Sequence, residues 1–449
     1  MPRKVKIGLA GIYFESFWGF RQSQYAQRRE RLRRVCEKMG FGFVAQAEAF
    51  TDAEAAAKAA RRLTDKADLV LLDVATFPAG KVAGAFFDSL DVPLALWGRD
   101  ESEHGTHIGH NSFCGVNFLA SNLALTGRRF RHFHGRCDSK DFRARLRTAG
   151  ALIAAAMDAA GSRIGLFGEG IVPKFFDIDI SPADRDRLSR RWNISFEPIT
   201  IKHLLKRVEA CKESDVENAL PKFVRPFKAI SVPPASIRAQ VRLMLAIRDI
   251  TREADLASLA VRCWPELPDA SGVWPCAVLS ALNESGVPSA CEGDPGGALD
   301  MLLAGKLTDR PVTLLDLVDF DERDNAFAIW HCGPTATSWS DRGGAKLIPH
   351  DVDGADSRGR PAPGLPAVVD MQFKPGPVTM FRTLGAVDDE FVVQGRIVPA
   401  PKRRISGCFG MLASPAVYGR EAQVGAIRDN IIQRAIPHHY AAARGKLFY

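Results

Sequence analysis

No hydrophobic run in this 449-residue sequence reaches the roughly 18 residues that a membrane-spanning helix needs. The N-terminus enters a strand pattern at once and lacks the apolar core and cleavage site of a signal peptide. The nine cysteines are scattered and include no Cys-x-x-Cys pair, which argues against a disulfide framework and a thiolate zinc site. We therefore expect a cytoplasmic protein with reduced thiols.

Nucleic-acid-binding motifs are also absent, although the net charge is +8 and the pI is about 9.0. The two densest basic runs are Arg28–Arg34 and Lys402–Arg404. Because Glu30 interrupts the first run, it is typical of a solvated helix face. The second run could face an anionic substrate, although a surface loop is favoured. Gly168–Gly170 lacks the third glycine of a nucleotide-binding turn. We expect no nucleic acid, nucleotide cofactor or membrane as a partner.

What the sequence does contain is an alternation of strand and helix patterns. Continuous apolar strands such as Leu69–Val74, separated by helices, indicate a parallel sheet covered on both faces, and a second such unit starts at Arg163–Phe167. After about residue 308 the pattern changes to alternating β-rich segments. The predicted fold class is α/β, with two doubly wound parallel-sheet domains, residues 1–137 and 138–307, followed by a β-rich antiparallel domain, residues 308–449.

Four separate segments carry candidate metal ligands. Glu292 follows a predicted strand, and Asp316 lies 24 residues later inside an apolar run, where an unpaired carboxylate is costly. His331 ends another strand pattern, and His438–His439 lie near the end of the sequence. Alone, each has an ordinary explanation as a capping carboxylate, a core histidine or a pair at a helix C-terminus. Together, two carboxylates and two imidazoles suit manganese, cobalt or zinc.

These residues carry a resemblance. The segment Cys263–Asp316, with His331–Gly333 and Pro437–His439, resembles the L-fucose isomerase and L-arabinose isomerase superfamily, in particular its fucose isomerase-like branch. The resemblance covers most of the chain and implies the same order of domains, with the third domain completing the metal site. It implies that Glu292 and Asp316 bind Mn²⁺, or else Co²⁺, Zn²⁺ or Mg²⁺, and act in proton transfer. It further implies metal ligation by His331 and by one histidine of the late pair, with His439 favoured.

The activity implied by the resemblance is that of an intramolecular oxidoreductase that interconverts aldoses and ketoses. A proton leaves C2 of an open-chain sugar and one returns to C1 through an enediol. Glu292 and Asp316 would serve as the paired base and acid, and the sequence leaves open which of them starts the reaction. The substrate would be a pentose, a 6-deoxyhexose or a hexose with an acidic group, and the positive net charge favours the last.

Weaker candidates for substrate contact are His104, His438, Trp339 and Arg382. His104 begins a histidine-rich segment that resembles one in arabinose isomerases which reaches a neighbouring subunit's active site, although three histidines could also bind a metal themselves. Trp339 could form an apolar wall of the sugar-binding site or pack in the core. Arg382 could bind a hydroxyl or an acidic group, with a surface salt bridge as the default.

The resemblance also implies a homo-oligomer, a trimer or hexamer with shared active sites, that binds a small-molecule sugar. Two other classes remain open from the residues alone. A sugar-binding regulatory protein would keep its sugar affinity after Glu292→Gln or chelation, whereas an isomerase would lose turnover. A metal-dependent hydrolase would turn over an ester or amide but no free sugar.

Overall fold

The computed structural model describes residues 4–17, 19–101, 107–168, 182–264, 266–349, 367–384, 389–399, 405–417 and 419–445. The chain divides into two compact units, Met1–Asp158 and Ala159–Tyr449. Within the described ranges, no helix is both long enough and apolar enough to cross a membrane.

The first unit is built on a five-stranded parallel sheet with the order β2-β1-β3-β4-β5. Its elements are β1 (Lys6–Ile12), α1 (Gln22–Lys38), β2 (Gly42–Ala45), α2 (Ala53–Thr64), β3 (Leu69–Val74), α3 (Gly80–Ser89), β4 (Leu94–Gly98), α4 (Ser112–Leu125), β5 (Arg131–His134) and α5 (Lys140–Ala159). Alternate residues of β3 enter two separate hydrophobic cores, one shared with α2, α3 and α4 and the other with α1 and α5. Because helices cover both faces, every residue of β3 is buried.

The second unit contains a four-stranded parallel sheet with the order β10-β9-β6-β7. This part of the chain comprises β6 (Arg163–Phe167), α6 (Pro182–Trp192), β7 (Ser195–Ile199), α7 (Ile201–Glu209), α8 (Glu213–Val224), β8 (Phe227–Ile230), α9 (Pro234–Glu253), β9 (Leu256–Val261), α10 (Glu266–Ser271), α11 (Cys276–Glu284), β10 (Ser289–Ala290) and α12 (Pro295–Thr308). Strand β10 is short, and its parallel pairing with β9 delivers the following turn to the carboxyl end of this sheet.

The remainder of the second unit is a largely antiparallel sheet. Its elements are β11 (Thr313–Asp321), β12 (Ala326–His331), a 3₁₀ turn (Thr337–Trp339), β13 (Ala345–Ile348), β14 (Val368–Gln372), β15 (Gly376–Leu384), β16 (Asp389–Val398), β17 (Cys408–Val417), β18 (Arg420–Glu421), α13 (Val424–Gln433) and β19 (His439–Arg444). The strand order runs β12-β11-β19-β15-β16-β17-β14-β13-β8. Strand β17 also pairs with β12, which closes six of the strands into a barrel.

The predicted fold class is confirmed: two parallel sheets with helices precede an antiparallel, β-rich part. One connection was not predicted. Strand β8, from the middle of the chain, pairs in parallel with β13 and so joins the edge of the C-terminal sheet. This pairing ties the middle and the end of the chain into one compact unit. The predicted domain boundaries at residues 137 and 307 stay predictions.

Candidate metal centre

Three neighbouring barrel strands bring Asp316, His331 and His439 together. Asp316 lies on β11, opposite His439 of β19 on one side and opposite Trp330, the neighbour of His331, on the other. His439 Nε2 lies 3.4 Å from His331 Nε2 and 3.7 Å from Asp316 Oδ1. Both histidines are buried, and the Asp316 side chain is 15% exposed. The register of the sheet therefore gathers residues that are far apart in the sequence.

Glu292 reaches the same place from the parallel sheet. It follows β10 and has a φ of 55°, and the next residue, Gly293, has a φ of 61°. Two successive left-handed residues make a sharp turn between β10 and α12, and at a non-glycine residue this conformation is uncommon and strained. Glu292 Oε2 lies 3.6 Å from His439 Nε2 and 3.3 Å from His438 Nε2. The strained turn thus aims the carboxylate at the histidine pair.

The distances of these atoms from His439 Nε2 are close to those between neighbouring ligands of a metal ion. Metal–ligand bonds of about 2.0 to 2.2 Å place neighbouring ligand atoms roughly 3.0 to 3.5 Å apart. Nε2 of His439 lies 3.4, 3.6 and 3.7 Å from His331, Glu292 and Asp316, respectively. Asp316 Oδ1 is buried and has no hydrogen-bond partner in the described part of the chain. Because an orphaned buried carboxylate oxygen is costly, a cation beside it would satisfy it.

Cys291 adds a thiol that was not predicted. Its Sγ lies 2.9 Å from His331 Nε2, and the buried group Cys291, His331 and His439 could itself hold a metal ion. A second such group is Glu292, His438 and His439. A thiolate ligand favours zinc, whereas the carboxylates also suit manganese, so the donor set alone does not fix the metal.

The charges of the site arise from burial and from the mixture of acids and bases. Burial raises the pKa of Glu292, but the hydrogen bond with His438 and the other nearby histidines outweigh it and hold the pKa below its usual value. Burial lowers the pKa of His331, which favours the neutral ring that binds metals. Burial also lowers the pKa of His439, but the hydrogen bond with Asp294 and the surrounding carboxylates outweigh it and raise that pKa.

A buried ion pair holds His439 in place. Asp294 caps the N-terminus of α12 by accepting the Gly297 N–H at 2.8 Å. Its carboxylate also accepts two hydrogen bonds from Arg382, at 2.6 and 2.8 Å, and lies 3.2 Å from His439 Nδ1. An Nδ1–H donor to this carboxylate leaves the Nε2 lone pair of His439 facing the other ligand atoms. Asp294 was not among the predicted site residues. The Asp-Pro-Gly-Gly sequence at the start of the helix could have revealed its capping role.

The weaker candidates are placed as follows. His438 is 53% exposed beside Glu292. The default assignment of Arg382 to a surface salt bridge is wrong, because its side chain is 2% exposed and pairs with Asp294. Trp339 is buried, donates from Nε1 to the Pro311 carbonyl at 3.2 Å and packs against an aromatic ring in the core. His104 lies outside the described residues. Substrate contacts of all four stay predictions.

Comparisons with known proteins point to sugar isomerases. No family model matches the sequence. A sulfoquinovose isomerase of Alkalicoccus urumqiensis is 25% identical over 381 residues, covering 83% of this chain and 81% of that protein. One of Priestia aryabhattai is 24% identical and covers 71% of this chain and 69% of its own length. One of Clostridium sp. strain MSTE9 is 32% identical over 152 residues, 34% of each chain. A solved ribose operon repressor of Lactobacillus acidophilus matches with a TM-score of only 0.16 and 13% identity over 69% of this chain.

The curated relatives indicate that this chain is an enzyme of the aldose–ketose isomerase class, which confirms the predicted type of activity. They do not name the broader fucose and arabinose isomerase superfamily, so that assignment stays a prediction. The comparisons leave the predicted site residues untested.

Proposed function

We propose that this protein is a divalent-metal-dependent isomerase that converts a sulfonated aldose into its ketose by proton transfer through an enediol. The observation that carries the proposal is the convergence of Glu292, Asp316, His331 and His439, with the Asp316 Oδ1 atom buried and lacking a hydrogen-bond partner in the described residues. A sugar-binding protein has no need of such a donor set.

The proposed substrate class rests on the curated relatives. All three of those described above are named sulfoquinovose isomerases, and sulfoquinovose is a hexose with a sulfonate group on C6. The sequence favoured a hexose with an acidic substituent because the chain carries a net charge of +8. A permanently anionic sugar agrees with both observations.

The carboxylates divide the proton transfer between them. Glu292 has a lowered pKa, so it is ionised at neutral pH and can accept a proton from C2. Its side chain is 28% exposed, and its Oε2 lies 3.3 Å from His438 Nε2, which can hold the carboxylate in position or share its proton. Asp316 is the second carboxylate within reach of the same space. Which of the two starts the reaction depends on the direction of conversion, because the acid and the base exchange roles.

Glu292, Asp316, His331 and His439 would hold the cation, because donor atoms of the first three lie 3.4 to 3.7 Å from His439 Nε2. Cys291 is a further donor grouped with His331 and His439. A bound divalent cation would polarise the sugar carbonyl and stabilise negative charge that develops on its oxygen. Asp294 and Arg382 contribute by fixing the ring of His439. These two residues do not need to touch the substrate to affect the reaction.

The test is isomerisation by metal-stripped protein of sulfoquinovose, glucose, L-fucose and L-arabinose, with and without Mn²⁺. NMR spectroscopy in D₂O would detect the ketose and the deuterium that enters at C1. We expect metal-dependent conversion of sulfoquinovose in preference to the uncharged sugars. Glu292→Gln and Asp316→Asn should abolish it.

Asp319→Asn is the matched control, because Asp319 lies on the same strand as Asp316 but is exposed, and among the described residues its side chain accepts only the Phe320 N–H, at 2.9 Å. This variant should keep full activity. Tight metal binding without conversion of any aldose would overturn the proposal, and turnover of an ester would then favour a hydrolase. Preferential conversion of an uncharged sugar would overturn the substrate class alone.

A further inference from the structure

A separate polar cluster lies in the first unit, at the carboxyl end of its parallel sheet. Asp73 is the penultimate residue of β3, Arg99 follows directly after β4, and Arg28 projects from α1. The side chains are 0%, 6% and 18% exposed, respectively. The run Arg28–Arg34 was predicted to form a solvated helix face. For Arg28 this prediction is wrong.

The Asp73 carboxylate is shared by two guanidinium groups. Arg28 donates to it from Nε and Nη2, both at 3.1 Å. Arg99 donates from Nε at 3.2 Å and from Nη2 at 2.7 Å. In the part of the chain that the structure describes, Nη1 of neither arginine donates a hydrogen bond. The cluster thus holds two positive charges against one negative charge and has N–H groups to spare.

The surroundings of the cluster are aromatic. Cζ of Arg28 lies 3.8 Å from the ring centroid of the buried Trp97, and Cζ of Arg99 lies 5.7 Å from that of Phe20. Withdrawing a cation from water is costly unless other charges compensate. Stacking on an aromatic ring offsets only part of that cost. An additional anion beside the pair would compensate the excess charge more fully.

The position in the fold also favours a ligand. Open parallel sheets bind ligands outside the carboxyl ends of their strands, where the strand order reverses. In this sheet the reversal lies between β1 and β3, and Asp73 stands opposite Gly11 of β1 at that point. Asp73 occupies the Nε and Nη2 edges of both guanidinium groups, so the N–H groups that remain at their outer ends are the ones that match the oxygen atoms of a sulfonate or phosphate group.

We propose that Arg28 and Arg99 form a binding site for a small tetrahedral oxyanion, a sulfonate, sulfate or phosphate group, with Asp73 holding the two guanidinium groups apart and in position. The anion is either the sulfonate of a sugar or a free inorganic ion, since both present the same oxygen atoms. The site is independent of the proposed isomerase activity, and its test requires no turnover.

The test is calorimetric titration of the full-length protein with sodium sulfate and with inorganic phosphate, at constant ionic strength maintained with chloride. Arg28→Gln should weaken binding by about 10- to 100-fold, because one charge-assisted donor group is lost. Arg33→Gln is the matched control: Arg33 lies on the same helix, is 41% exposed and is paired with Glu30 and Glu37. It should bind as the unaltered protein does.

A melting-temperature measurement and a second variant test the same site. In the unaltered protein, sulfate should raise the melting temperature above that in chloride of equal ionic strength, a result that needs no variant. Arg28→Lys, which keeps the charge but loses the planar fork, should also bind more weakly. Absence of binding by the unaltered protein, or equal binding by Arg28→Gln, would overturn the proposal.

Competition distinguishes the two sources of the anion. Displacement of sulfate by sulfoquinovose, but not by glucose, would assign the site to a sulfonated sugar. Displacement by inorganic phosphate alone would assign it to a free anion. Failure of the isomerisation assay would leave both of these binding results intact.

Discussion

Replacing Asp294 by asparagine removes one charge and keeps the size of the side chain. In the structure this carboxylate pairs with Arg382, caps α12 and contacts His439 Nδ1 at 3.2 Å. The cap should survive, because asparagine caps helices about as well as aspartate. The ion pair should not, since the side chains of Asp294 and Arg382 are 0% and 2% exposed. Asp294→Asn therefore removes the nearest counter-charge of the buried Arg382, and Asp300, whose Oδ2 lies 3.9 Å from Arg382 Nε, is the carboxylate that remains beside it.

The size of the effect follows from that burial. Removing one partner of a buried ion pair typically destabilises a protein by about 3 to 5 kcal/mol. The single amide oxygen of asparagine must also serve both Arg382 and His439, so one of the two contacts is lost. Loss of the contact that orients His439 should weaken metal binding by roughly 10- to 100-fold.

Urea denaturation of metal-free protein measures the first effect, and calorimetric titration with Mn²⁺ measures the second. Asp341→Asn is the control, since Asp341 is a half-buried carboxylate in the same unit that accepts the Gly343 N–H at 2.7 Å. It should change the free energy of unfolding by less than about 0.5 kcal/mol. If Asp294→Asn cost less than about 1 kcal/mol and bound Mn²⁺ normally, the assigned role of the buried pair would be refuted.

Three further predictions concern stability and thiol reactivity. Burial raises the pKa of Asp300 from 3.8 to about 7. The folded state then binds the carboxyl proton of Asp300 more tightly than the unfolded chain does. The free energy of unfolding should therefore fall as the pH rises between these two values, by about 1.4 kcal/mol per pH unit. Asp300→Asn should flatten that fall in urea denaturation measured across this pH range. Gly293→Ala should destabilise the protein by about 1 to 3 kcal/mol, because φ is 61° and an added Cβ would lie 2.7 Å from Arg262 Cγ. Gly305 lies inside α12, and a Cβ added there would lie 3.7 Å from Pro288 Cγ, its nearest neighbour. Gly305→Ala should therefore stabilise the protein by about 0.5 to 1 kcal/mol in the same denaturation assay. Cys114, the exposed cysteine among the nine, should react first with a thiol reagent. Retention of that fast phase in Cys114→Ser would contradict the assignment, because six of the other cysteines are buried and two, Cys211 and Cys332, are half-buried.

The oligomeric state was inferred from the resemblance alone. We expect a trimer or hexamer by sedimentation or light scattering. A monodisperse, active monomer would remove the inference that active sites are shared between subunits.

Local patterns predicted much of the fold because the hydrophobic pattern of a segment indicates which of its own residues are buried. Leu69–Val74 was predicted to be a buried parallel strand and is one, since a sheet covered on both faces needs apolar residues at every position. His331 was likewise predicted to end a strand, and it is the last residue of the strand Ala326–His331. Helix α4 and strand β19 were missed. Strand β19 has six residues and begins at the second histidine of the His438–His439 pair, so its periodicity does not distinguish it from the end of a helix.

Candidate ligands were recognisable for a similar reason. Asp316 was singled out because a charge inside an apolar run is costly unless it has a partner, and in the structure its Oδ1 atom lies 3.7 Å from His439 Nε2 but has no hydrogen bond among the described residues. The role of Asp294 in holding His439 was not recognisable, because its partners Arg382 and His439 lie 88 and 145 residues away. Arg28 was misassigned for the same reason: a basic residue in a helix has no sequence pattern that reveals a distant carboxylate such as Asp73.

The sequence by itself determined where many of the strands and helices lie, the α/β class of the fold and the residue types available for metal chemistry. Those properties depend on local periodicity and on the cost of burying charge, both of which act within a few residues. Only the tertiary structure decided that β11 lies between β12 and β19, that Asp316 stands opposite His439, and that Asp73 is shared by two arginines. Strand register and long-range ion pairs arise from packing the whole chain, because each is a choice among many partners that are locally equivalent.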